Sequence, residues 1–207
     1  MFRARLLPAR LACNAVSAMG TLLYLLLLAL LLGAMLSIVV YSLRIGITPM
    51  PTTGKVRRQM LSLLPETQQG TLLELGAGWG NLAFALAEHC PRASVVAYEW
   101  SPLPYAFARL RQRLAPRPNL RFVRGDFFQA SFTGASAVVC YVHREAMRRL
   151  ATKLREELAP GALIVSNTFA LRGWTPSRTL VIPDLYRTRV YLYEVPARTE
   201  PGVSGGI

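Results

Sequence analysis

Acidic residues are scarce in this chain, and the first 65 residues have none at all. Over 207 residues there are 24 Lys and Arg against 11 Asp and Glu, a net charge of +13. Residues 1–46 hold +4 of that charge and the remainder holds +9. A surplus of this size suits an anionic partner, either a membrane surface or a nucleic acid, although an arginine-rich solvated surface accounts for it equally well. Cysteine is scarce too. Cys13, Cys90 and Cys140 are odd in number and far apart. That argues against a disulfide framework and fits a reducing compartment. No Cys or His spacing of the metal-binding kind occurs, so no metal is expected.

Charge of either sign is missing between Arg10 and Arg44, a run of 33 residues. Its centre, 21–41, is dominated by leucine and offers no polar face of the kind a core helix of a soluble domain keeps. About 20 such residues cross the hydrocarbon layer as a helix. The apolar part of a cleaved signal peptide is normally only about 7–15 residues. The reading is a retained single-pass anchor over 1–46. Its orientation is not set by charge: Arg3, Arg5 and Arg10 on one side nearly balance Arg44, Lys55, Arg57 and Arg58 on the other.

A linker and entry helix should follow over 47–70. Pro49 and Pro51 lock the backbone into extended form. Thr52 or Thr53 can then cap a helix running to about Leu64, with Val56, Met60, Leu61 and Leu64 on one face and Pro65 ending it. The segment is either a simple hinge or a flap over a ligand.

The stretch 72–87, LLELGAGWGNLAFALA, is the centre of the chain. A short apolar run reads as a buried strand. Glu74, Gly76, Ala77, Gly78 and Gly80 then form a glycine loop, and Leu82, Ala83, Leu86 and Ala87 recur at helical spacing. Glycines let the backbone turn sharply and approach a ligand closely, and the helix that follows aims free N–H groups at it. The alternative is a tight strand-to-helix turn without a ligand. Residues 94–98 read as the next strand, ending at Glu99 about 20 residues beyond the loop. A carboxylate there is placed to accept hydrogen bonds from two ribose hydroxyls. Asp126, after a third strand, can accept from an adenine amino group while Phe127 packs on the ring, or it can simply cap a turn. Trp100 can flank the same ring.

From 71 to 195 strands and helices alternate: strands near 71–76, 94–99, 120–124, 136–142 and 162–168, helices near 80–89, 103–114 and 144–158. This pattern predicts an α/β fold with a parallel sheet covered on both faces. Residues 179–182 and 188–195 alternate around Pro183-Asp184 as a final hairpin. The tail, 196–207, is small and polar and reads as disordered.

The loop spacing Gly76-x-Gly78-x-Gly80, with an acid two residues before it, resembles motif I of class I S-adenosylmethionine (SAM) methyltransferases. Over about 49–195 the chain is similar to the membrane-anchored relatives of the mitochondrial protein-lysine N-methyltransferases that modify the adenine nucleotide translocase and ATP synthase subunit c. The similarity rests on the Pro-Thr linker with Met60-Leu61, the ELGAGWG loop, Tyr98-Glu99 followed by Pro102, Asp126, the run Val142, Met147, Leu150, Lys153-Leu154 and Leu158, then Phe169 and Trp174-Thr175-Pro176. The resemblance implies a Rossmann-like sheet, mostly parallel with a C-terminal antiparallel hairpin, preceded by a transmembrane helix. It implies SAM as cofactor and a membrane-associated protein as substrate.

An amine acceptor must be neutral to attack, and free lysine has a pKa of about 10.4. Tyr141 and His143 follow the fourth strand, where it should meet the methyl group, so either can orient the amine or accept its proton. A surface position for His143 and plain packing for Tyr141 are the alternatives. Phospholipid amine methylation and SAM binding without turnover are the competing functions. RNA base methylation is disfavoured, because Tyr141-Val142-His143-Arg144 stands where an Asn/Asp-Pro-Pro-Tyr motif would be expected. SAM is made in the cytosol, which places the catalytic part on the cytoplasmic face, as in a bacterial inner membrane.

Overall fold

The structure, a computed structural model, describes residues 6–45 and 52–197. Pro49 and Pro51 of the linker and residues 198–207 of the tail lie outside the described residues. The chain divides into two compact units, Met1–Ile45 and Gly46–Ile207.

The first unit is one helix, α1 (Leu6–Ile45). Within it Met19–Tyr41 is long and apolar enough to cross a membrane, 23 residues of mean hydropathy 2.8. At about 1.5 Å per residue such a span covers roughly the thickness of a bilayer core. The leucines at 22, 23, 25–28, 30–32 and 36 are exposed.

The second unit opens with α2 (Gly54–Leu61). Thr53 is its cap, accepting from the Val56 N–H at 3.4 Å, and Val56 and Met60 are its buried face. The helix stops at Leu61, earlier than its periodicity predicts. A tight turn, with the Leu64 N–H donating to the Leu61 carbonyl, then drops Leu63 and Leu64 into the core ahead of Pro65.

Seven strands follow: β1 (Gly70–Leu75), β2 (Ala93–Glu99), β3 (Leu120–Arg124), β4 (Ala135–Cys140), β5 (Leu163–Asn167), β6 (Arg178–Val181) and β7 (Arg189–Glu194). They form one sheet in the order β3-β2-β1-β4-β5-β7-β6. β1 to β5 are mutually parallel, and β7 runs antiparallel to both β5 and β6. The helices between them are α3 (Asn81–His89), α4 (Pro102–Leu114) and α5 (Arg144–Glu157).

Central strands of such a sheet are buried on both faces, which is why β1 is buried continuously from Leu72 to Leu75, Glu74 included, and β4 from Ala137 to Cys140. One core layer gathers Val56 and Met60 of α2, Leu82 and Leu86 of α3 and Ala108 of α4 against Leu72, Val95 and Val139. The other gathers Met147, Leu150 and Leu154 of α5 against Leu73, Leu75, Val138 and Ile164. Strand order reverses on either side of β1, since its neighbours β2 and β4 leave in opposite directions. A crevice outside the carboxyl ends of β1 and β4 is therefore where a ligand belongs in this sheet.

Candidate functional site: the glycine loop and the strand-end acids

β1 ends at Leu75, and the chain turns through glycines of positive φ: Gly76 at 80°, Gly78 at 54° and Gly80 at 81°. The three do different jobs. A Cβ on Gly80 would stand 2.9 Å from Phe122 Cζ and 3.3 Å from Ala108 Cβ, so this glycine lets α3 pack against β3 and α4. A Cβ on Gly78 would meet nothing within 4 Å. That glycine faces open space, as a backbone cradle for a ligand does. Gly76 is flanked by Val142 Cγ1, 3.7 Å from its Cβ position, which joins the loop to the segment after β4.

The loop is tied to β2. The N–H groups of Gly76 and Ala77 both donate to the Tyr98 carbonyl, at 3.0 and 2.8 Å. Glu99, the last residue of β2, is buried and turned towards the loop. Its Oε2 accepts from the Gly78 N–H at 2.7 Å, and its Oε1 accepts from the Ser101 N–H at 2.7 Å. Each carboxylate oxygen has a second lone pair, so both can still accept from a vicinal diol. The Gly125 N–H donates to the Glu99 carbonyl at 3.1 Å and brings the end of β3 alongside.

Glu74, inside β1, is buried with Oε2 unpartnered. Burial pushes its carboxyl well above the usual range, and the negative Glu99 adds to the rise. An orphaned buried oxygen beneath a glycine loop fits a site whose ligand brings its own polar groups.

The remaining residues singled out in the sequence take these positions. Asp126 caps the short 3-10 turn Phe127–Gln129, with Oδ1 accepting from the Phe128 N–H at 2.9 Å. This is the turn-capping geometry weighed as the alternative for that residue. Phe127 is half-buried, its ring centroid 4.5 Å from that of Phe128. Trp100 is 42% exposed beside Glu99. Tyr141 and His143 follow β4, whose last residue, Cys140, pairs with Leu75 at the mouth of the loop. His143 is the N-cap residue of α5 but makes no side-chain cap bond, and its Nδ1 is buried without a partner. Ser101 was missed by sequence reasoning, since a backbone N–H leaves no mark in the side chains. Among the described residues no group of three or more His, Cys, Asp or Glu stands together to hold a metal ion.

A sheet in this order, with a glycine loop after the first strand, an acid ending the second and an antiparallel final strand, defines the class I methyltransferase fold. Comparison with known proteins gives the family. Residues 74–178 match the family model described as the ANTKMT methyltransferase domain. A protein-lysine N-methyltransferase of Saccharolobus islandicus is 29% identical over 152 residues, covering 70% of this chain and 91% of that protein. The adenine nucleotide translocase lysine N-methyltransferase of Mus musculus is 30% identical over 149 residues, 70% of this chain; the chain spans only 63% of that protein's length. Among solved structures, an RNA methyltransferase from Salinibacter ruber in complex with S-adenosyl-L-homocysteine is 31% identical, with a TM-score of 0.64 over 74% of this chain and 98% of its own. The chain belongs to the ANTKMT methyltransferase domain family and is a methyltransferase.

Proposed function

We propose that the chain is a membrane-anchored SAM-dependent methyltransferase that N-methylates a lysine of a membrane-associated protein. The observation that carries the cofactor assignment is the pair of hydrogen bonds holding Glu99 against Gly78 and Ser101. It fixes a diol acceptor beside an open backbone cradle. Supporting the lysine acceptor is the family match over 74–178, with relatives named for lysine methylation.

When bound, SAM supplies a methyl group on a sulfonium, already a good leaving group. This chain's residues have to position, desolvate and deprotonate. Glu99 takes the ribose hydroxyls. The loop at Gly76, Ala77, Gly78 and Gly80 lines the methionine end, with Glu74 below it. Asp126 and Phe127 address the adenine, with Trp100 at its edge. Tyr141 and His143 meet the incoming amine, and the orphaned Nδ1 of His143 supports a role in receiving its proton. A lysine entering this partly buried end loses hydration, which lowers its pKa towards the neutral form that attacks.

The hydrophobic helix Met19–Tyr41 supports the anchor. On this reading residues 1–46 form the anchor, 47–70 the linker and entry helix, 71–195 the catalytic domain and 196–207 the tail. The catalytic domain faces the cytoplasm, where SAM is made. The Salinibacter ruber relative is named for RNA, which makes RNA the second acceptor to test. Tritiated SAM added to membranes holding the chain separates the readings. Label in a protein band, removed by Glu99→Ala, is the expected result. Label in lipid or RNA would replace the acceptor, and label nowhere would leave a SAM-binding protein without turnover.

A further inference from the structure

The outward face of α4 is inverted relative to an ordinary surface helix. α4 buries Pro104 and Ala108. About 110° round the helix from these, half-buried Leu103 and exposed Phe107, Leu110 and Leu114 recur at intervals of four, three and four. Phe107 is 49% exposed, Leu110 52% and Leu114 78%. At 3.6 residues per turn the four fall in a stripe about 60° wide. Arg109 and Arg113 border that stripe on one side and Arg111 on the other. Residues 100–125 hold six arginines and no acid. Arg111 is tied down, donating to Asn81 Oδ1 at 2.8 Å and lying 4.2 Å over the Phe84 ring. Arg117 reaches Glu88 at 3.9 Å. Arg109, Arg113, Arg121 and Arg124 form no ion pair among the described residues.

We propose that α4 lies in the interface of an anionic lipid bilayer, its leucines and Phe107 at the acyl boundary and its arginines among the phosphates. An apolar stripe between arginine rims is what an interfacial helix needs, since arginine stems cover apolar surface while their heads reach outward. Anionic headgroups supply the counter-charge that this stretch of chain lacks. A second copy would set arginine rim against arginine rim with no acid between them. A nucleic-acid surface would centre its arginines and stacking aromatics, and here aliphatic side chains hold the centre. Phe107 stands edge-on to Trp79 of the glycine loop, ring centroids 5.3 Å apart, and α4 starts three residues after Glu99. A helix seated in this way brings the ligand end of the sheet to the membrane surface. The proposal builds on the membrane reading above, but it concerns a different part of the chain.

The test uses the full chain in vesicles. Cys90 and Cys140 are buried, so in a Cys13→Ser background Leu110→Cys takes an environment-sensitive fluorophore selectively. Leu114→Cys serves as a second reporter. Vesicles of phosphatidylcholine, with and without phosphatidylglycerol, carry a lipid spin-labelled high on its acyl chain. Blue-shifted emission, quenched at least about twofold more strongly with phosphatidylglycerol and restored to the aqueous value by Arg109→Glu with Arg113→Glu, is expected. Alkaline carbonate extraction in parallel reports the anchor. A chain retained by the vesicles with both reporters aqueous overturns the proposal while sparing the anchor. A chain stripped by carbonate but quenched beforehand overturns the anchor and sustains the proposal. Reporters shielded only by self-association, added RNA or acceptor protein also overturn it.

Discussion

Gly78→Ala and Gly80→Ala, two residues apart, should fail in opposite ways. Both glycines sit at positive φ, 54° and 81°, where an L side chain costs about 1–2 kcal/mol. At Gly78 that is the whole structural cost, because the new methyl meets nothing within 4 Å. At Gly80 the methyl also lands 2.9 Å from Phe122 Cζ and 3.3 Å from Ala108 Cβ. Overpacking of that kind adds about 1–3 kcal/mol, for roughly 2–5 kcal/mol in all. For a domain of this size 1 kcal/mol moves Tm by about 2–4 °C. Gly80→Ala should therefore melt roughly 4–20 °C low, and Gly78→Ala roughly 2–8 °C low. Calorimetry with S-adenosylhomocysteine should give the reverse order. Gly78→Ala puts a methyl into the cradle beside Glu99 and should weaken binding by at least about tenfold, a loss of about 1.4 kcal/mol. Gly80→Ala, assayed below its melting point, should bind closer to normally. A folded Gly78→Ala that binds within twofold of wild type would refute the assignment of the cradle.

Three further outcomes are expected. Glu74 has its carboxyl pKa raised by burial and by Glu99, so its ionisation costs stability that is absent below the ordinary carboxylate range and grows as pH climbs towards the raised value. Glu74→Gln should raise Tm at neutral pH and lose that advantage near pH 4; thermal melts across pH that show a constant offset would contradict the buried-charge account. Tyr141→Phe should lower turnover in the labelling assay more than it lowers S-adenosylhomocysteine affinity by calorimetry, and the opposite split would remove Tyr141 from the chemistry. Trp174 donates from Nε1 to the Ala151 carbonyl at 3.1 Å and stands edge-on to Tyr193, so Trp174→Ala should destabilise by about 2–4 kcal/mol in denaturant titrations without changing ligand affinity.

Local chemistry wrote much of this molecule into its sequence. An uncharged leucine run long enough for a bilayer needs no partner to be recognised, and neither does a glycine cluster between an apolar run and a helical repeat. The alternation of periods forces a sheet covered on both faces, and the turn residues Pro183-Asp184 mark the final hairpin, which forms as β6 and β7. Other properties depend on atoms far apart in the chain. The third glycine looks like part of a ligand loop, yet Phe122 and Ala108, distant in sequence, give it a packing reason. Glu99 is legible as a strand-end acid, but its second clamp is a main-chain N–H. Asp126 reads as either ligand or cap, and only the fold shows its oxygen on the Phe128 N–H. Leu103, Phe107, Leu110 and Leu114 have the spacing of a core stripe, and the tertiary structure leaves Leu103 half-buried and turns the other three outward. Sequence fixes the period of a pattern, because period follows from backbone geometry. Which way the patterned face points is decided by what else competes for the core, and here Pro104 and Ala108, about a third of a turn away, are small enough to let α4 sit close to the sheet.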